Sequence, residues 1–221
     1  WSSDVCSSDL STLRRKVNKL RRQGELTMTR VTEADQVAAF ARGAASVSRR
    51  SYQFTLFGTG IRRPDAFARE LAAIARLGWL RCYLLELDGR PCSFMIGYQD
   101  ERAFYYIDVA FDQAFNRLSV GTVLQYLVLE DLYRHRTPAL FDFCGGHGEH
   151  KVFFENRHVL GTDVFLFPRR PYPRLAQLLF QGSVHATRQV SDLLDRHDLK
   201  ARVKRGVRRA SVLLGRSRDE R

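Results

Sequence analysis

The stretch that most constrains the fold is the apolar, strand-rich run from residue 81 to residue 111. Asp88-Gly89 is a strong hairpin turn, and a second polar turn falls at Gln99–Arg102, so the run divides into three strands. Three strands joined by tight turns predict an antiparallel meander. A helical pattern at Thr122–His135 and a buried strand, ALFDFCGG, come next, and a strand–helix–strand connection requires a parallel pair. The sequence therefore predicts an α+β fold with one mixed central β-sheet flanked by helices.

The regions on either side of this run carry further helix and strand signals. Their apolar spacing predicts a basic helix at Ser11–Gln23, a strand at 25–32, a helix near Glu33–Arg42, a helix from Pro64 to Leu77, a short helix in GEHKVFFEN, a last strand in TDVFLFP and a helical tail from Pro173. We expect a basic linking helix at 11–24, the main domain at 25–172 and a basic amphipathic tail at 173–221.

The first ten residues differ in character from everything after them. Back-translated, WSSDVCSSDL matches a common sequencing-library adapter, so we interpret Trp1–Leu10 as an artefact and expect it to be disordered. On that interpretation the chain is a fragment that lacks an N-terminal half.

The charge of the chain favours an anionic partner. With 36 Lys and Arg against 24 Asp and Glu, the net charge is +12, which suits a nucleotide cofactor, nucleic acid or an acidic membrane surface. Basic residues recur with apolar ones through residues 199–218, as in a helix that lies on a membrane. No apolar run approaches the roughly 18 residues of a membrane span. Without Cys6 the cysteine count is odd, which favours a reducing, cytoplasmic location, with possible attachment to the inner face of the plasma membrane.

Three stretches are candidates for chemistry, and the first is FDQAFNRLSVGTVL. A helix that begins at Ser119–Thr122 directs free backbone N–H groups at an anion, Gly121 permits close approach, and Arg117 adds a positive charge. An ordinary helix capped by Ser119 explains the same residues.

The second candidate is FDFCGGHGEHKVFF, where polar side chains follow a buried strand. Asp142, His147, His150 and Lys151 are candidates for an acid–base or anion-binding cluster. A structural ion pair between Asp142 and Lys151 is the alternative. Cys144 and the two histidines have a spacing that suits zinc, but no second ligand pair is evident, so no metal is expected.

The third candidate is Asp108, which interrupts the apolar strand YYIDVAF. Its carboxylate faces either solvent or a cleft, and the neighbouring Tyr106 lines a pocket or packs in the core.

Taken together, RRKVNKLRRQGEL, SYQ with GTGI, LRCYLLELDGRPCSFMIGY, YYIDVAFD, SVG and FDFCGGHGEHKVFF resemble the GNAT acyltransferase superfamily. The resemblance extends from about Arg14 to Leu175 and is closest to the CelD-like (BcsL-like) group associated with bacterial exopolysaccharide and cellulose synthesis. The resemblance to the Fem-type aminoacyl transferases is more distant. The chain differs from the group's usual pattern at Tyr52, Val120 and His150.

The resemblance implies an acyl-CoA such as acetyl-CoA as co-substrate and a sugar or sugar nucleotide as acceptor. It implies that backbone groups around Val109 and Ala110 hold the acyl carbonyl, that the pyrophosphate lies at Arg117–Thr122, and that Asp108, Asp142 or His147 is the base. His150 or a water is then the proton donor and Lys151 an anion contact. The substrate contacts so implied are Ser51, Tyr52, Gln53 and Tyr106. Two other functions stay open, an aminoacyl-tRNA-dependent transferase and a non-catalytic protein bound to an anionic membrane.

Overall fold

The computed structural model describes residues 7–135, 137–145, 149–157, 159, 168 and 171–196. The chain divides into two compact units, Trp1–His158 and Val159–Arg221. The last predicted strand, in TDVFLFP, and the basic stretch 199–218 lie outside the described residues apart from Pro168.

A five-stranded mixed sheet forms the centre of the first unit. Its strands follow chain order: β1 Leu26–Val31, β2 Cys82–Leu87, β3 Arg90–Gln99, β4 Ala103–Phe111 and β5 Leu140–Asp142. The pairs β1–β2, β2–β3 and β3–β4 are antiparallel, whereas β4–β5 is parallel. The predicted meander and its parallel crossover are thus confirmed, and the fold is α+β.

Helices cover the sheet on both faces. They are α1 Ser7–Arg21, α2 Val37–Arg49, α3 Tyr52–Phe57, α4 Pro64–Arg76, α5 Val120–His135 and α6 Glu149–Phe154, with a 3₁₀ helix, η1, at Gln113–Leu118. The disorder expected for residues 1–10 is wrong for residues 7–10, because α1 begins at Ser7 and Leu10 packs against the core. A helix that is already held by tertiary packing extends at little cost through neighbouring residues of moderate propensity.

Two separate apolar cores follow from this layering. On one face, Leu13, Val17 and Leu20 of α1 pack with the apolar stripe of α5 against Phe104 and other strand residues. On the other face, α2 and α4 pack against the opposite side of the same strands. The helical spacing of apolar residues produces this arrangement. The helix α1 buries one stripe and exposes most of its other residues, whereas α5 is buried or half-buried except at its last three residues.

An ion-paired carboxylate fixes α5 against β1 and β2. Asp131 accepts hydrogen bonds from Arg30 (3.0 Å), Arg81 (3.0 Å) and Tyr83 (2.9 Å). Burial alone raises the pKa of this carboxyl, but the Tyr83 hydroxyl and the two guanidinium groups outweigh it and lower the pKa overall. The anchor holds the C-terminal half of α5, which leaves the N-terminal end of the helix at the far end of the sheet.

The second unit contains the helix α7, Pro171–Arg196, which agrees with the helix predicted from Pro173. Several of its large apolar side chains are exposed: Tyr172, Leu175, Leu178, Leu179 and Phe180. Within the described residues, no helix combines the length and apolar character that a bilayer crossing demands.

Candidate active site at the open edge of β4

A β-bulge in the middle of β4 shapes the candidate site. Ile96 of β3 pairs with Asp108, but the next residue, Gly97, pairs with Tyr106, so Ile107 is the extra residue of the bulge. Beyond this point β4 also loses its other neighbour, because β5 pairs only with Ala103–Tyr105. Within the part of the chain that the structure describes, the edge of β4 from Tyr106 to Phe111 therefore has no partner strand. Such bulges occur often beside active sites, where they redirect a side chain.

The hydrogen-bond register shows which backbone groups face this open edge. The Asp112 N–H donates to the Cys92 carbonyl on β3, so by alternation Ala110 and Asp108 also direct their backbone groups to β3. Val109 and Phe111 therefore present their N–H and C=O groups to the open edge. The Ala110 carbonyl accepts from the Ser93 hydroxyl at 3.0 Å. The contact of Val109 and Ala110 with an acyl carbonyl stays a prediction.

Gln53 of α3 lies against the same edge. Its Nε2 donates to the Val109 carbonyl at 3.4 Å, whereas its Oε1 is buried and has no hydrogen-bond partner in the described structure. A buried acceptor without a partner is costly, and a ligand N–H in the cleft would satisfy it.

Tyr106 and Asp108 are the titratable groups at the bulge. Desolvation by neighbouring groups raises the pKa of the Asp108 carboxyl even though the residue is exposed, and the Val109 N–H opposes this with a smaller effect. Burial raises the pKa of the Tyr106 hydroxyl, as does the nearby negative charge of Asp108. The bulge therefore brings together Asp108, a carboxylate of increased basicity, and Tyr106, a phenol that keeps its proton.

The N-terminal end of α5 meets the C-terminal end of β4. A Cβ added at Gly121 would lie 3.4 Å from the Phe111 ring, which is van der Waals contact, so the start of α5 packs against the end of β4. Ser119, in the left-handed conformation with φ 55°, joins η1 to α5, and its carbonyl accepts from Val123. The predicted anion-binding residues Arg117, Ser119, Gly121 and Thr122 thus share one turn at the open edge.

A buried carboxylate that the sequence analysis missed positions this turn. Asp112 is the residue after β4, and its side chain is 3% exposed. Its Oδ1 accepts from Ala114 N at 2.9 Å as the cap of η1, and its Oδ2 accepts from Arg50 at 2.6 Å and Arg90 at 2.9 Å. The Gln113 N–H donates in turn to the Arg50 carbonyl, so Arg50 is bound to this turn through both its side chain and its backbone. An aspartate between a strand and a helix, as in the run Phe-Asp-Gln-Ala, is a sequence signal for a helix cap. The contacts of Asp112 with the two arginines have no such signal, because the arginines lie far away in the sequence.

The loop after β5 differs from the sequence expectation. Lys151 donates to the carbonyls of Phe143 (2.7 Å) and Gly145 (2.8 Å), so it anchors this loop instead of pairing with Asp142. The Asp142 Oδ1 accepts from the Cys144 N–H at 2.7 Å. The Lys151 ammonium also lies 6.0 Å from the centroid of the Tyr106 ring, which places the loop beside the bulge.

Three further predicted residues have different outcomes. Ser51 is 1% exposed, accepts from Phe54 N and donates to the Ser48 carbonyl, so it caps α3, and its substrate contact stays a prediction. His147 and the side chain of His150 lie outside the described residues. In the described part of the chain, no three His, Cys, Asp or Glu side chains are placed to hold a metal ion.

A mixed sheet that opens beside a bulged strand, with a helix N-terminus at the opening, defines the fold class of the GNAT acetyltransferases. The family model for the acetyltransferase (GNAT) domain matches residues 7–152, which is more than half of the chain. The chain therefore belongs to the GNAT acetyltransferase domain family, whose members are enzymes that use acyl-CoA. This confirms the superfamily resemblance; the match does not distinguish the CelD-like group within it.

Comparison with solved structures gives matches of low sequence identity. The C-terminal domain of an Agrobacterium fabrum protein named for lysylphosphatidylglycerol synthetase is 20% identical, with 59% of this chain and 40% of that chain covered and a TM-score of 0.45. A ribosomal-protein-alanine N-acetyltransferase from Brucella melitensis is 13% identical over 65% of this chain and 100% of that chain, with a TM-score of 0.46. An aminoglycoside acetyltransferase from an uncultured soil sample, in complex with trehalose, is 11% identical over 65% and 97%, with a TM-score of 0.48.

The chain thus spans less than half of the Agrobacterium protein in the first of these comparisons. No curated protein sequence is significantly similar to this chain.

Proposed function

We propose that the protein transfers an acyl group from an acyl-CoA, such as acetyl-CoA, to an amine or hydroxyl group of a sugar or sugar nucleotide used in exopolysaccharide assembly. The observation that carries the proposal is the open edge of β4, where exposed backbone groups, a basic carboxylate and a helix N-terminus meet. The acceptor class rests on the resemblance to the CelD-like group.

The residues present fit an acyl-CoA. The chain offers the N–H and C=O of Val109 and the unpartnered Oε1 of Gln53 to an extended ligand that carries amide groups. The N–H groups at the start of α5, together with Arg117, suit a pyrophosphate, because a helix N-terminus carries partial positive charge and unsatisfied donors. The acyl-CoA supplies the activated thioester; the chemistry of proton transfer and charge stabilisation belongs to the protein.

Asp108 is the proposed general base. A carboxylate whose pKa is raised by desolvation accepts a proton more readily than a solvated aspartate. It would take the proton of the attacking amine or hydroxyl group. The Val109 N–H is the proposed donor to the negative charge that develops on the acyl oxygen.

Tyr106 and Tyr52 are the proposed acceptor contacts. Because burial keeps the Tyr106 hydroxyl protonated, it serves as a hydrogen-bond donor and acceptor for a polar substrate. Tyr52 is 43% exposed on α3 and offers an aromatic surface of the kind that packs against sugar rings. Lys151 is a positioning residue, since it holds the loop that borders Tyr106.

Two measurements on the same protein test the proposal. Calorimetric titration with acetyl-CoA should show binding that Arg117→Ala weakens, and acetyl-CoA-dependent release of free thiol should occur with one or more members of a panel of amino sugars and sugar nucleotides. Asp108→Asn should abolish turnover while donor affinity changes less than twofold. Absence of binding at millimolar acetyl-CoA would refute donor use, and equal turnover by Asp108→Asn would refute the base.

A further inference from the structure

An exposed face of α1 carries a row of basic residues to which the proposed reaction assigns no role. Arg15, Lys19 and Arg22 are all exposed and follow one another at spacings of four and three, so they share one face of α1. Arg22 lies just past the end of α1, but its N–H still bonds to the Asn18 carbonyl at 3.2 Å, so it continues the helical spiral. The buried face of the helix, Leu13, Val17 and Leu20, is a different one.

A direct contact places this row beside the anion-binding turn. The Lys19 ammonium donates to the Arg117 carbonyl at 3.2 Å, and Arg117 is two residues before Ser119, where α5 starts. One hydrogen bond leaves the ammonium with two further donors. The middle of the row therefore lies beside the proposed pyrophosphate position, with Arg15 one turn before Lys19 and Arg22 about one turn after it.

The start of η1, at the opposite end of that helix from Arg117, also carries basic side chains. Arg50 and Arg90 share the single carboxylate of Asp112, and the Arg90 guanidinium lies 5.0 Å from the centroid of the Phe115 ring in η1. One carboxylate cannot neutralise two guanidinium groups, so η1 has positive charge near both of its ends. Such a field favours a ligand with more negative charge than a pyrophosphate alone.

We propose that the face of α1 formed by Arg15, Lys19 and Arg22 binds the 3′-phosphate of the acyl-CoA donor. The inference rests on the proposed use of acyl-CoA and adds a subsite to it. In CoA, one ribose separates the 3′-phosphate from the pyrophosphate, so a cationic row whose middle residue, Lys19, contacts the pyrophosphate turn is placed to reach it. A phosphate monoester is close to dianionic at neutral pH and forms strong charge-assisted hydrogen bonds with ammonium and guanidinium groups.

The test compares CoA with 3′-dephospho-CoA, which differs only in the phosphate at issue. Dissociation constants for both ligands are measured by calorimetry on the wild-type chain and on Arg15→Gln/Lys19→Gln/Arg22→Gln. The matched control is Arg14→Gln/Arg21→Gln, which removes exposed positive charge from the same helix away from the Lys19 side. All five side chains are exposed, so the helix should keep its packing.

The wild type should bind CoA about tenfold more tightly than dephospho-CoA, because each exposed contact is worth about two- to fivefold. The triple variant should lose most of this preference through weaker CoA binding, with dephospho-CoA affinity unchanged within about twofold. The control variant should keep the preference. Raising the salt concentration should reduce the preference of the wild type.

Three results would overturn the subsite. Equal affinity of the wild type for the two ligands would refute it while leaving acyl-CoA use intact. Equal weakening of both ligands in the triple variant would show that Lys19 only supports η1 through the Arg117 carbonyl. Loss of the preference in the control variant would show a general charge effect. By contrast, no binding of either ligand to the wild type would refute the proposed function itself.

Discussion

Removal of the Asp112 carboxylate tests whether this buried group holds the turn between β4 and α5. In Asp112→Ala, η1 loses its cap, which costs about 1 kcal/mol. Breaking a fully buried ion pair costs roughly 3–5 kcal/mol, but the side chains of Arg50 and Arg90 are 39% and 54% exposed and regain water. Taking about half of the lower value for the charge interactions, we expect a total loss of about 2–3 kcal/mol in the free energy of unfolding.

Asp112→Asn separates the two contributions. An asparagine oxygen still caps η1 by accepting from Ala114, so only the charge interactions are lost, about 1–2 kcal/mol. For a chain of this size, 1 kcal/mol corresponds to about 2–4 °C in Tm. Thermal unfolding at pH 7 should therefore rank the wild type above Asp112→Asn and Asp112→Ala lowest, with about 4–12 °C between the extremes.

The pH dependence gives an independent check. Desolvation acts to raise the pKa of Asp112, but the Ala114 N–H and the two guanidinium groups outweigh it and lower the pKa overall. A carboxyl with a lowered folded-state pKa stabilises the fold above the unfolded value of about 3.9, and this stabilisation is lost as the pH falls through the folded value. The gap in Tm between the wild type and Asp112→Asn should be full at pH 7 and close below about pH 4.

Asp35→Asn is the matched control, since Asp35 is exposed and its loss changes the net charge equally. A Tm of Asp112→Ala within 2 °C of the control would refute the reasoning, as would a gap that persists unchanged in acid.

Four further predictions follow from single positions. Ser119→Gly should raise the free energy of unfolding by about 1 kcal/mol in chemical denaturation, because glycine adopts the left-handed conformation without strain. Gly97→Ala should lower it by about 1–3 kcal/mol, since the added Cβ would meet the Phe104 ring and the Arg81 carbonyl. Gln125→Leu should increase Tm by a few degrees, because Gln125 is 4% exposed and both its amide atoms are unpartnered. The acidic limb of the pH profile of kcat/KM should lie above the ordinary pKa of aspartate and vanish in Asp108→Asn. For each variant, no change from the wild type in the quantity named would contradict the prediction.

Much of the sheet could be predicted from the sequence because its signals are local. The Asp88-Gly89 turn needs residues with positive φ, and both adopt it, with φ 50° and 72°. The apolar stripe of Thr122–His135 predicts a helix between two strands, and a strand–helix–strand connection within one sheet requires the second strand to run parallel to the first. Boundaries were less predictable: the helix expected at Glu33–Arg42 is Val37–Arg49, because its buried alanines continue the apolar face beyond Gly43.

The shape of the site was not predictable in the same way, since it depends on pairing between distant strands. The run ALFDFCGG indicates a longer strand than the three residues that pair as β5. The bulge at Ile107 exists only relative to β3, so the alternation of YYIDVAF does not reveal it. Asp112 lies 62 positions from Arg50, and a contact at that distance leaves no mark in either local sequence.

The segment from Ile107 to Asp112 is restrained at its two ends by different partners, so we expect that catalysis and donor binding can be altered separately. The bulge at Ile107 sets the face on which Asp108 lies, because one residue fewer in β4 would invert the alternation and place this carboxylate on the opposite side of the sheet. At the other end, Asp112 turns the chain into η1 and so places the start of α5. Each restraint acts through different partners, β3 for the bulge and the two arginines for the cap. Changes at the bulge should therefore alter turnover more than donor affinity, and changes at Asp112 should do the reverse.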